Sequence, residues 1–206
     1  MRRPRIVLAD DHTLVAEGFR AVLAAEFEVA AVAKDGRELL NLSPQLKPDV
    51  IVLDISMPVL NGIDAACQIK KELPKCKIIF MSGHEGHGYI RAAFRVGASG
   101  YVLKSSAAEE LVSAIHQVLH GGIHLPEGVQ EDILSDTKQT ESPLSPRERE
   151  VLQLVAEGKS AKEVGGVLNL SQKTVEFHKY NIMNKLGIRT TAELARYAVQ
   201  QGLVAD

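Results

Sequence analysis

The first 125 residues alternate short apolar runs, rich in β-branched residues, with stretches in which apolar residues recur every three or four positions. Five runs of the first kind occupy residues 5–9, 29–33, 50–53, 77–81 and 100–103. Helical spacing occupies residues near 14–25, 36–42, 63–72, 88–96 and 107–120. This alternation predicts a doubly wound α/β domain of the flavodoxin-like class, with a five-stranded parallel sheet covered by helices on both faces.

The pattern changes near residue 143, after which the sequence predicts four helices and no strand. Ser145 caps the first helix, with Pro146 at its first position and Glu148 three residues after the cap. The expected helices cover residues 146–157, 161–168, 172–186 and 191–201. A short helix joined by a tight turn to a longer, more polar one is typical of a helix-turn-helix. Gly165 and Gly166 each cost that short helix ~1 kcal/mol relative to alanine, so we expect it to be frayed.

The charge distribution supports the same division of the chain. Residues 1–125 carry 14 basic and 14 acidic groups, residues 126–143 carry one and five, and residues 144–206 carry nine and seven. The acidic middle stretch has prolines at both ends and little periodicity, which is typical of a linker. We therefore expect a first domain over residues 1–125, a linker over 126–142 and a net positive second domain over 143–206.

Composition excludes several classes of protein. With 206 residues, 45% hydrophobic and 24% charged, the chain can bury a core and does not have the composition of a disordered protein. No window approaches the ~18 apolar residues of a membrane span, and the N-terminal residues reach two aspartates before a signal-peptide core develops. Cys67 and Cys76 are too few for a disulfide framework or a four-cysteine zinc site. We expect a reduced, cytoplasmic protein without a membrane partner.

The residues that follow the predicted strands share a chemistry. The first run ends in Asp10 and Asp11, the third in Asp54, the fourth in Ser82 and the fifth in Lys104. Ligands of parallel α/β sheets bind beyond the carboxyl ends of the strands. Clustered carboxylates repel one another unless a cation offsets them, and Mg²⁺ suits carboxylates, water and phosphate oxygens. The arrangement predicts a Mg²⁺ site in which Asp54 is a nucleophile and the lysine and serine contact phosphate oxygens.

Four motifs of this region, ADDH, VLDISMPVLNG, MSGH and GYVLK, resemble in order and spacing those of the receiver domain of two-component response regulators. The resemblance covers residues 4–122. It implies that Asp54 is the phosphoacceptor and that Lys104 binds the phosphoryl group. It also implies that Ser82 is the switch hydroxyl and Tyr101 the switch aromatic, which fills the space that Ser82 vacates when it moves towards the phosphoryl group.

The same resemblance implies how the magnesium ion is held. Asp11, Asp54 and the backbone carbonyl of Ser56 would be direct ligands, and Asp10 would contribute through water. Mg²⁺ is thus the expected cofactor. The expected partner of this domain is a sensor histidine kinase, which would supply the phosphoryl group.

The third helix of the second domain has two distinct faces. At ~100° per residue, Val175, Ile182 and Leu186 form a narrow apolar sector that faces the core. Aromatic and polar side chains occupy the opposite sector, where contacts to base edges and phosphates would account for them. The candidate DNA contacts are Lys162, Lys173, Thr174, Glu176, Phe177, Lys179, Tyr180 and Asn181. A protein–protein surface is the alternative interpretation of the same helix.

The elements PREREVL, KTVEFH and NKLGIR resemble the LuxR-type four-helix DNA-binding domain over residues 143–204. Together with the receiver, they make the whole chain similar to response regulators of the NarL/FixJ type. The resemblance implies a transcription regulator that is switched by phosphorylation of Asp54. We expect it to form a homodimer when phosphorylated and to bind double-stranded DNA with two half-sites.

The sequence leaves two other functions open. One is a receiver-like regulator that takes no phosphate and acts through protein contacts, although the aspartates, serine and lysine of the phosphorylation site are all present. The other is a phosphohydrolase with an aspartyl-phosphate intermediate. Enzymes that resemble haloacid dehalogenases have a second aspartate two residues after the nucleophile, where this chain has Ser56. We therefore expect a switch and not an enzyme.

Overall fold

A computed structural model describes residues 2–83, 86–106, 108–129 and 143–204, and the chain divides into two compact units. One unit has the predicted α/β pattern and the other the predicted helices. Residues 130–142, which are most of the predicted linker over 126–142, lie outside the described residues, so the domain boundaries at 125 and 143 stay predictions. None of the described helices is long and apolar enough to cross a membrane.

The first unit contains one parallel five-stranded sheet with the order β2-β1-β3-β4-β5, which confirms the predicted fold class. Its strands are β1 (Arg5–Ala9), β2 (Glu28–Ala33), β3 (Val50–Asp54), β4 (Lys77–Ser82) and β5 (Gly100–Leu103). Its helices are α1 (Thr13–Leu23), α2 (Gly36–Leu46), α3 (Gly62–Glu72), α4 (His87–Arg95) and α5 (Ala108–Leu119). β3 is buried along its whole length, as its uninterrupted apolar run predicts.

The strand order creates a crevice at one edge of the sheet. β1 and β3 are neighbours although β2 lies between them in sequence, because β2 pairs with the other side of β1. Connections that leave in opposite directions open a crevice at the carboxyl ends of such strands, and ligands bind there. Asp10 follows β1 and Asp54 ends β3, so both residues lie at this crevice.

A short segment after α5 extends the sheet, which the sequence pattern did not predict. The His124 N–H donates to the Ser99 carbonyl at 3.1 Å, and the Tyr101 N–H donates to the His124 carbonyl at 3.0 Å. A parallel bridge therefore joins Gly100 to His124. This bridge covers part of the outer edge of β5, which would otherwise present unpaired backbone groups to other chains.

The second unit consists of α6 (Pro146–Ala156), α7 (Ala161–Leu168), α8 (Gln172–Leu186) and α9 (Thr191–Gln200), close to the predicted bounds. Three of these helices begin with a capping box, formed by Ser145, Ser160 and Thr190 with the glutamate three residues further on. The core of this unit takes one apolar face from each helix. Its members include Val151, Leu152, Leu154, Val164, Leu168, Val175, Ile182, Leu194 and Ala198.

α7 is a complete two-turn helix, although its two glycines predicted fraying. A capping box begins it and Asn169, in the left-handed conformation at φ 54°, ends it. The two glycines differ in their surroundings. A Cβ on Gly165 would lie 2.6 Å from the Leu170 carbonyl oxygen, whereas a Cβ on Gly166 would meet nothing within 4 Å. Glycine is therefore required at position 165, because the turn between α7 and α8 passes close to its Cα. Position 166 has room for a side chain.

An ion pair links the start of α6 to the end of α8. The buried Glu148 carboxylate accepts from the Ser145 N–H at 2.8 Å and from the Lys185 ammonium at 2.7 Å. Burial raises the pKa of Glu148, but the hydrogen bonds from Lys185 and Ser145 outweigh it, and the pKa lies below its ordinary value. Lys185 thus helps to hold α8 against α6.

Alanine substitutions at the two glycines of α7 should change stability in opposite directions. Gly165→Ala pushes a methyl group against a backbone carbonyl and should destabilise the second unit by ~1–3 kcal/mol. Gly166→Ala adds helix propensity without a clash and should stabilise it by up to ~1 kcal/mol. Hydrogen exchange of α7 and α8 in the full chain measures this unit separately from the first. Shifts of the same sign in both variants would contradict the assignment of the close approach to Gly165 alone.

Glu148→Gln should destabilise the second unit by ~1.5–3 kcal/mol near neutral pH, because it removes a charged hydrogen bond while keeping an oxygen for the capping box. The lowered native pKa means that this stabilisation is present above the unfolded pKa and disappears as pH falls through the native pKa. Hydrogen exchange of α6 and α8 should therefore distinguish variant from wild type near neutral pH, and the difference should shrink as pH falls below the unfolded-state pKa and through the lowered native pKa.

Glu163→Gln is the matched control, because Glu163 has the same capping-box position in α7 but is exposed and bonds only to Ser160 among the described residues. Glu163→Gln should change the stability of the second unit only slightly over the same range of pH. If Glu148→Gln and Glu163→Gln lose equal stability, the ion pair with Lys185 adds nothing to the stabilisation by the capping box.

Candidate functional site

The carboxyl ends of three strands bring together the aspartates and the lysine that the sequence placed there. The Lys104 ammonium, directly after β5, lies 2.7 Å from Asp54 Oδ2 and 2.8 Å from Asp10 Oδ2. Both carboxylates are buried, and the lysine is largely covered. The backbone N–H of Lys104 donates to the Ser82 carbonyl at 2.8 Å, and this bond holds the backbone of Lys104 beside the end of β4. One cation therefore bridges two buried anions.

Two buried carboxylates that share one ammonium leave excess negative charge at this edge. Burial raises the pKa of Asp54, and the repulsion from Asp10 adds to this, while the hydrogen bond and charge of Lys104 offset part of it. Burial alone would lower the pKa of Lys104, but its hydrogen bonds to Asp10 and Asp54 raise it above the ordinary value. The site is therefore short of positive charge, which favours binding of a further cation.

Four side chains of this edge could hold a cation. Ligand atoms of Asp10, Asp11, His12 and Asp54 all lie within 4.8 Å of one another. His12 Nδ1 is 2.9 Å from Asp11 Oδ1 and 3.2 Å from Asp10 Oδ1. His12 was not among the residues predicted for the site. Its position directly after two aspartates at a strand end was the signal that could have found it.

The backbone after Asp54 is held in place by two contacts. The Ser56 N–H donates to Asp54 Oδ1 at 3.2 Å, and the N–H of Gly62, the first residue of α3, donates to the Ile55 carbonyl at 2.8 Å. A Cβ on Gly62 would lie 2.0 Å from the Asp54 carbonyl oxygen. Glycine is thus required at this position, because any side chain would displace the backbone of Asp54.

Ser82 and Tyr101, the expected switch residues, are both buried. Burial raises the pKa of Tyr101 to about 12, although a hydrogen bond between the Tyr101 and Ser82 side chains lowers it in part. The resemblance implies that Tyr101 fills the space that Ser82 vacates. In this structure the two side chains are hydrogen-bonded to each other, so a movement of Ser82 would be felt by Tyr101 directly.

α8 presents the two faces that the helical wheel predicted. Val175 and Ile182 are buried, whereas Phe177 is 60% and Tyr180 64% exposed. The remaining candidate DNA contacts of this helix are exposed or half-buried, namely Lys173, Thr174, Glu176, Lys179 and Asn181, and Lys162 is exposed on α7. Two large aromatic side chains in solvent among polar groups are typical of a binding surface rather than of a free helix.

Two further contacts on this surface were not foreseen from the sequence. The Gln172 amide donates to Glu176 Oε1 at 2.8 Å, and the Lys179 ammonium donates to Thr191 Oγ1 at 2.8 Å. Gln172 was not among the candidate residues. The spacing of four between Gln172 and Glu176 was the available signal, since side chains at this spacing meet on a helix.

Two family models match this chain, one for each unit. Residues 6–116 match the response regulator receiver domain, and residues 142–198 match the bacterial regulatory proteins of the luxR family. The receiver match alone covers more than half of the chain.

Relatives share both parts over nearly their whole length. The transcriptional regulatory protein MctR of Rhizobium johnstonii is 39% identical over 204 residues, which are 98% of this chain and 95% of MctR. The RcsB response regulator of Salmonella typhimurium is 30% identical, with a TM-score of 0.64, and the match covers 98% of this chain and 99% of RcsB. A structure of two RcsB dimers bound to two parallel DNAs matches with 31% identity and a TM-score of 0.60, over 97% of this chain and 99% of that one. The chain therefore belongs to the two-component response regulators, and it is a transcription regulator that joins a receiver domain to a LuxR-type DNA-binding domain.

Proposed function

We propose that Asp54 accepts a phosphoryl group from a sensor histidine kinase and that the phosphorylated chain binds DNA as a dimer. The observation that best supports this is the bridge from Lys104 to the buried carboxylates of Asp10 and Asp54. A carboxylate and an ammonium in contact at the edge of the sheet where ligands bind support Asp54 as the nucleophile and Lys104 as the phosphate-binding cation.

The transfer step uses few groups of this chain. A carboxylate oxygen of Asp54 attacks phosphorus, and the bond from phosphorus to the histidine nitrogen of the kinase breaks with its electron pair returning to the imidazole. The product is an acyl phosphate on Asp54. Lys104, whose ammonium contacts Asp54 Oδ2, then pairs with a phosphoryl oxygen and so keeps its buried charge compensated.

The donor atoms at this edge fit magnesium. Asp11, Asp54 and the carbonyl of Ser56 would hold the ion, with Asp10 contributing through water, and oxygen ligands of this kind suit a hard divalent cation. When bound, Mg²⁺ supplies positive charge to the phosphoryl oxygens. The excess negative charge around Asp54 supports a cation here independently of the family pattern.

The switch would run through Ser82 and Tyr101. We expect the Ser82 hydroxyl to leave Tyr101 and donate to a phosphoryl oxygen, because a charged acceptor makes the stronger hydrogen bond. Tyr101, which is buried beside it, would then occupy the space that Ser82 vacates. Since the Tyr101 N–H also binds the His124 carbonyl, a shift of β5 would reach the segment that follows α5.

The phosphorylated receiver would act on DNA through α8. In helix-turn-helix proteins the second helix enters the major groove, and dimers bind two half-sites. MctR is a transcriptional regulatory protein, and RcsB forms dimers on DNA; neither name describes an enzyme. We extend DNA binding as a dimer to this chain, and we propose that phosphorylation favours its dimer. A regulator of chromosomal DNA in a bacterium would act in the cytoplasm.

Asp54→Asn should abolish phosphorylation by acetyl phosphate in the presence of Mg²⁺, because the amide oxygen is a poor nucleophile. The covalent phosphoryl group is detected as a mass increase of the intact chain. Asp49→Asn is the matched control, since Asp49 immediately precedes the strand that Asp54 ends and so lies at the opposite edge of the sheet. It should be labelled like the wild type.

Labelling of Asp54→Asn at the wild-type level would refute Asp54 as the acceptor. A wild type that takes no label from acetyl phosphate or from any histidine kinase, yet still regulates transcription, would favour the phosphate-independent regulator. Rapid, repeated turnover of phosphate esters would favour the phosphohydrolase.

Lys173→Ala should weaken binding to all DNA sequences alike and reduce the slope of log affinity against log salt by ~1, because it removes one phosphate contact. Tyr180→Ala should instead change which bases are preferred, since its exposed ring lies on the face predicted to meet base edges. Fluorescence anisotropy over a salt series measures both effects. Lys34→Ala, on the surface of the receiver, serves as the control and should change neither quantity. A uniform, salt-dependent loss in both α8 variants would contradict the assignment of Tyr180 to base contact.

A further inference from the structure

Glu176 is an unexpected residue on the surface of α8 that is proposed to meet DNA. It is the fifth residue of this helix, it is exposed, and within the described part of the chain no lysine or arginine forms an ion pair with it. The N-terminal residues of a recognition helix are those that contact base edges. A carboxylate in this position is repelled by the phosphates on both sides of the groove, so its presence weakens binding unless it finds a hydrogen-bond donor there.

Gln172 orients the Glu176 carboxylate without neutralising it. The Gln172 amide donates to Glu176 Oε1 at 2.8 Å, one turn earlier on the same helix face. Oε2 of Glu176 then remains as an acceptor for a further donor. Because Gln172 is neutral, the full negative charge stays on the surface, and a donor supplied by DNA would compensate it.

The major groove offers only two such donors, the amino groups of cytosine and adenine. Adenine presents the N7 acceptor beside its amino group, and N7 repels a carboxylate. Cytosine presents a donor and no acceptor of its own in this groove. A glutamate therefore discriminates in favour of cytosine, whereas glutamine, with a donor and an acceptor, matches adenine.

We propose that Glu176 is a specificity-determining residue that accepts a hydrogen bond from the amino group of a cytosine in each half-site, with Gln172 as its positioning residue. The proposal rests on the proposed binding of α8 to DNA. It adds to that function the base that one named side chain recognises.

The test is selection of bound sequences from a random DNA pool by the full-length, phosphorylated protein. The wild type should enrich a cytosine at one position of each half-site. Glu176→Gln should enrich adenine at that position and leave the others unchanged. Glu163→Gln removes an exposed carboxylate of the same unit on α7 and should retain the wild-type preference, which controls for the change in net charge.

A base analogue gives a second measurement that does not depend on a change of sequence preference. Replacing the selected cytosine by 2-pyrimidinone removes only the amino group. The affinity of the wild type should fall ~5- to 100-fold, while Glu176→Ala should bind both duplexes equally. Glu176→Ala should also bind unselected DNA more tightly at low salt, because the repulsion by phosphates is gone.

The outcomes separate this proposal from the function on which it rests. If Glu176→Gln and the wild type select the same base at every position, Glu176 does not read DNA, although the chain still binds it. Equal affinity of the wild type for the cytosine and 2-pyrimidinone duplexes would likewise overturn the proposal. If the wild type binds DNA from the pool but prefers no base at any position, the proposal is wrong and α8 binding stands; if it retains no DNA at all, the proposed binding of α8 to DNA is wrong as well.

Discussion

The bridge from Lys104 to two buried carboxylates is the interaction on which the receiver unit depends. A charge held away from water is tolerated only when it is paired, and here a single ammonium serves Asp10 and Asp54 at once. These residues lie far apart in the sequence and meet only because β1, β3 and β5 end at the same edge of the sheet. The fold thus holds two carboxylates close together with only one ammonium between them. The remaining negative charge favours binding of a cation, and a cation together with Lys104 would favour binding of a phosphoryl group.

The residues around the Lys104 bridge restrict how it can rearrange when Asp54 is phosphorylated. Gly62 leaves no room for a side chain beneath the Asp54 backbone, and the buried Ser82 and Tyr101 side chains are hydrogen-bonded to each other. On the proposed function, a phosphoryl group on Asp54 would therefore compete for Lys104 and Ser82, which already have partners. An exchange of hydrogen-bond partners between packed side chains is a two-state change, which suits a switch.

In the second unit the ion pair of Glu148 and Lys185 has an analogous role. It ties α6 to the end of α8 while the apolar sector of α8 packs on the core. The opposite sector is then presented with its aromatic and polar side chains exposed. α8 can therefore act as a firmly held binding surface, and the contact between Gln172 and Glu176 orders part of that surface in advance.

Periodicity and the chemistry of strand ends were sufficient to predict the five-stranded sheet, the four helices and the meeting of Asp10, Asp54 and Lys104. They were not sufficient for features that depend on neighbours across the fold. The different surroundings of Gly165 and Gly166 arise from one carbonyl of the following turn, and the hydrogen bond between Tyr101 and Ser82 depends on the pairing of β5 with β4. Likewise, His12 joins the acidic cluster only through the turn after β1, and the bridge of His124 to β5 lies in a segment without strand periodicity.

On the proposed function, phosphorylation of Asp54 and binding of DNA are coupled, and linkage requires that each favours the other. Sedimentation of the full chain with a duplex that contains two selected half-sites, with and without acetyl phosphate and Mg²⁺, tests this coupling most directly. We expect two protomers per duplex and a higher affinity after phosphorylation, and no such gain in Asp54→Asn. One protomer per duplex, with an affinity that is indifferent to the phosphodonor, would contradict it.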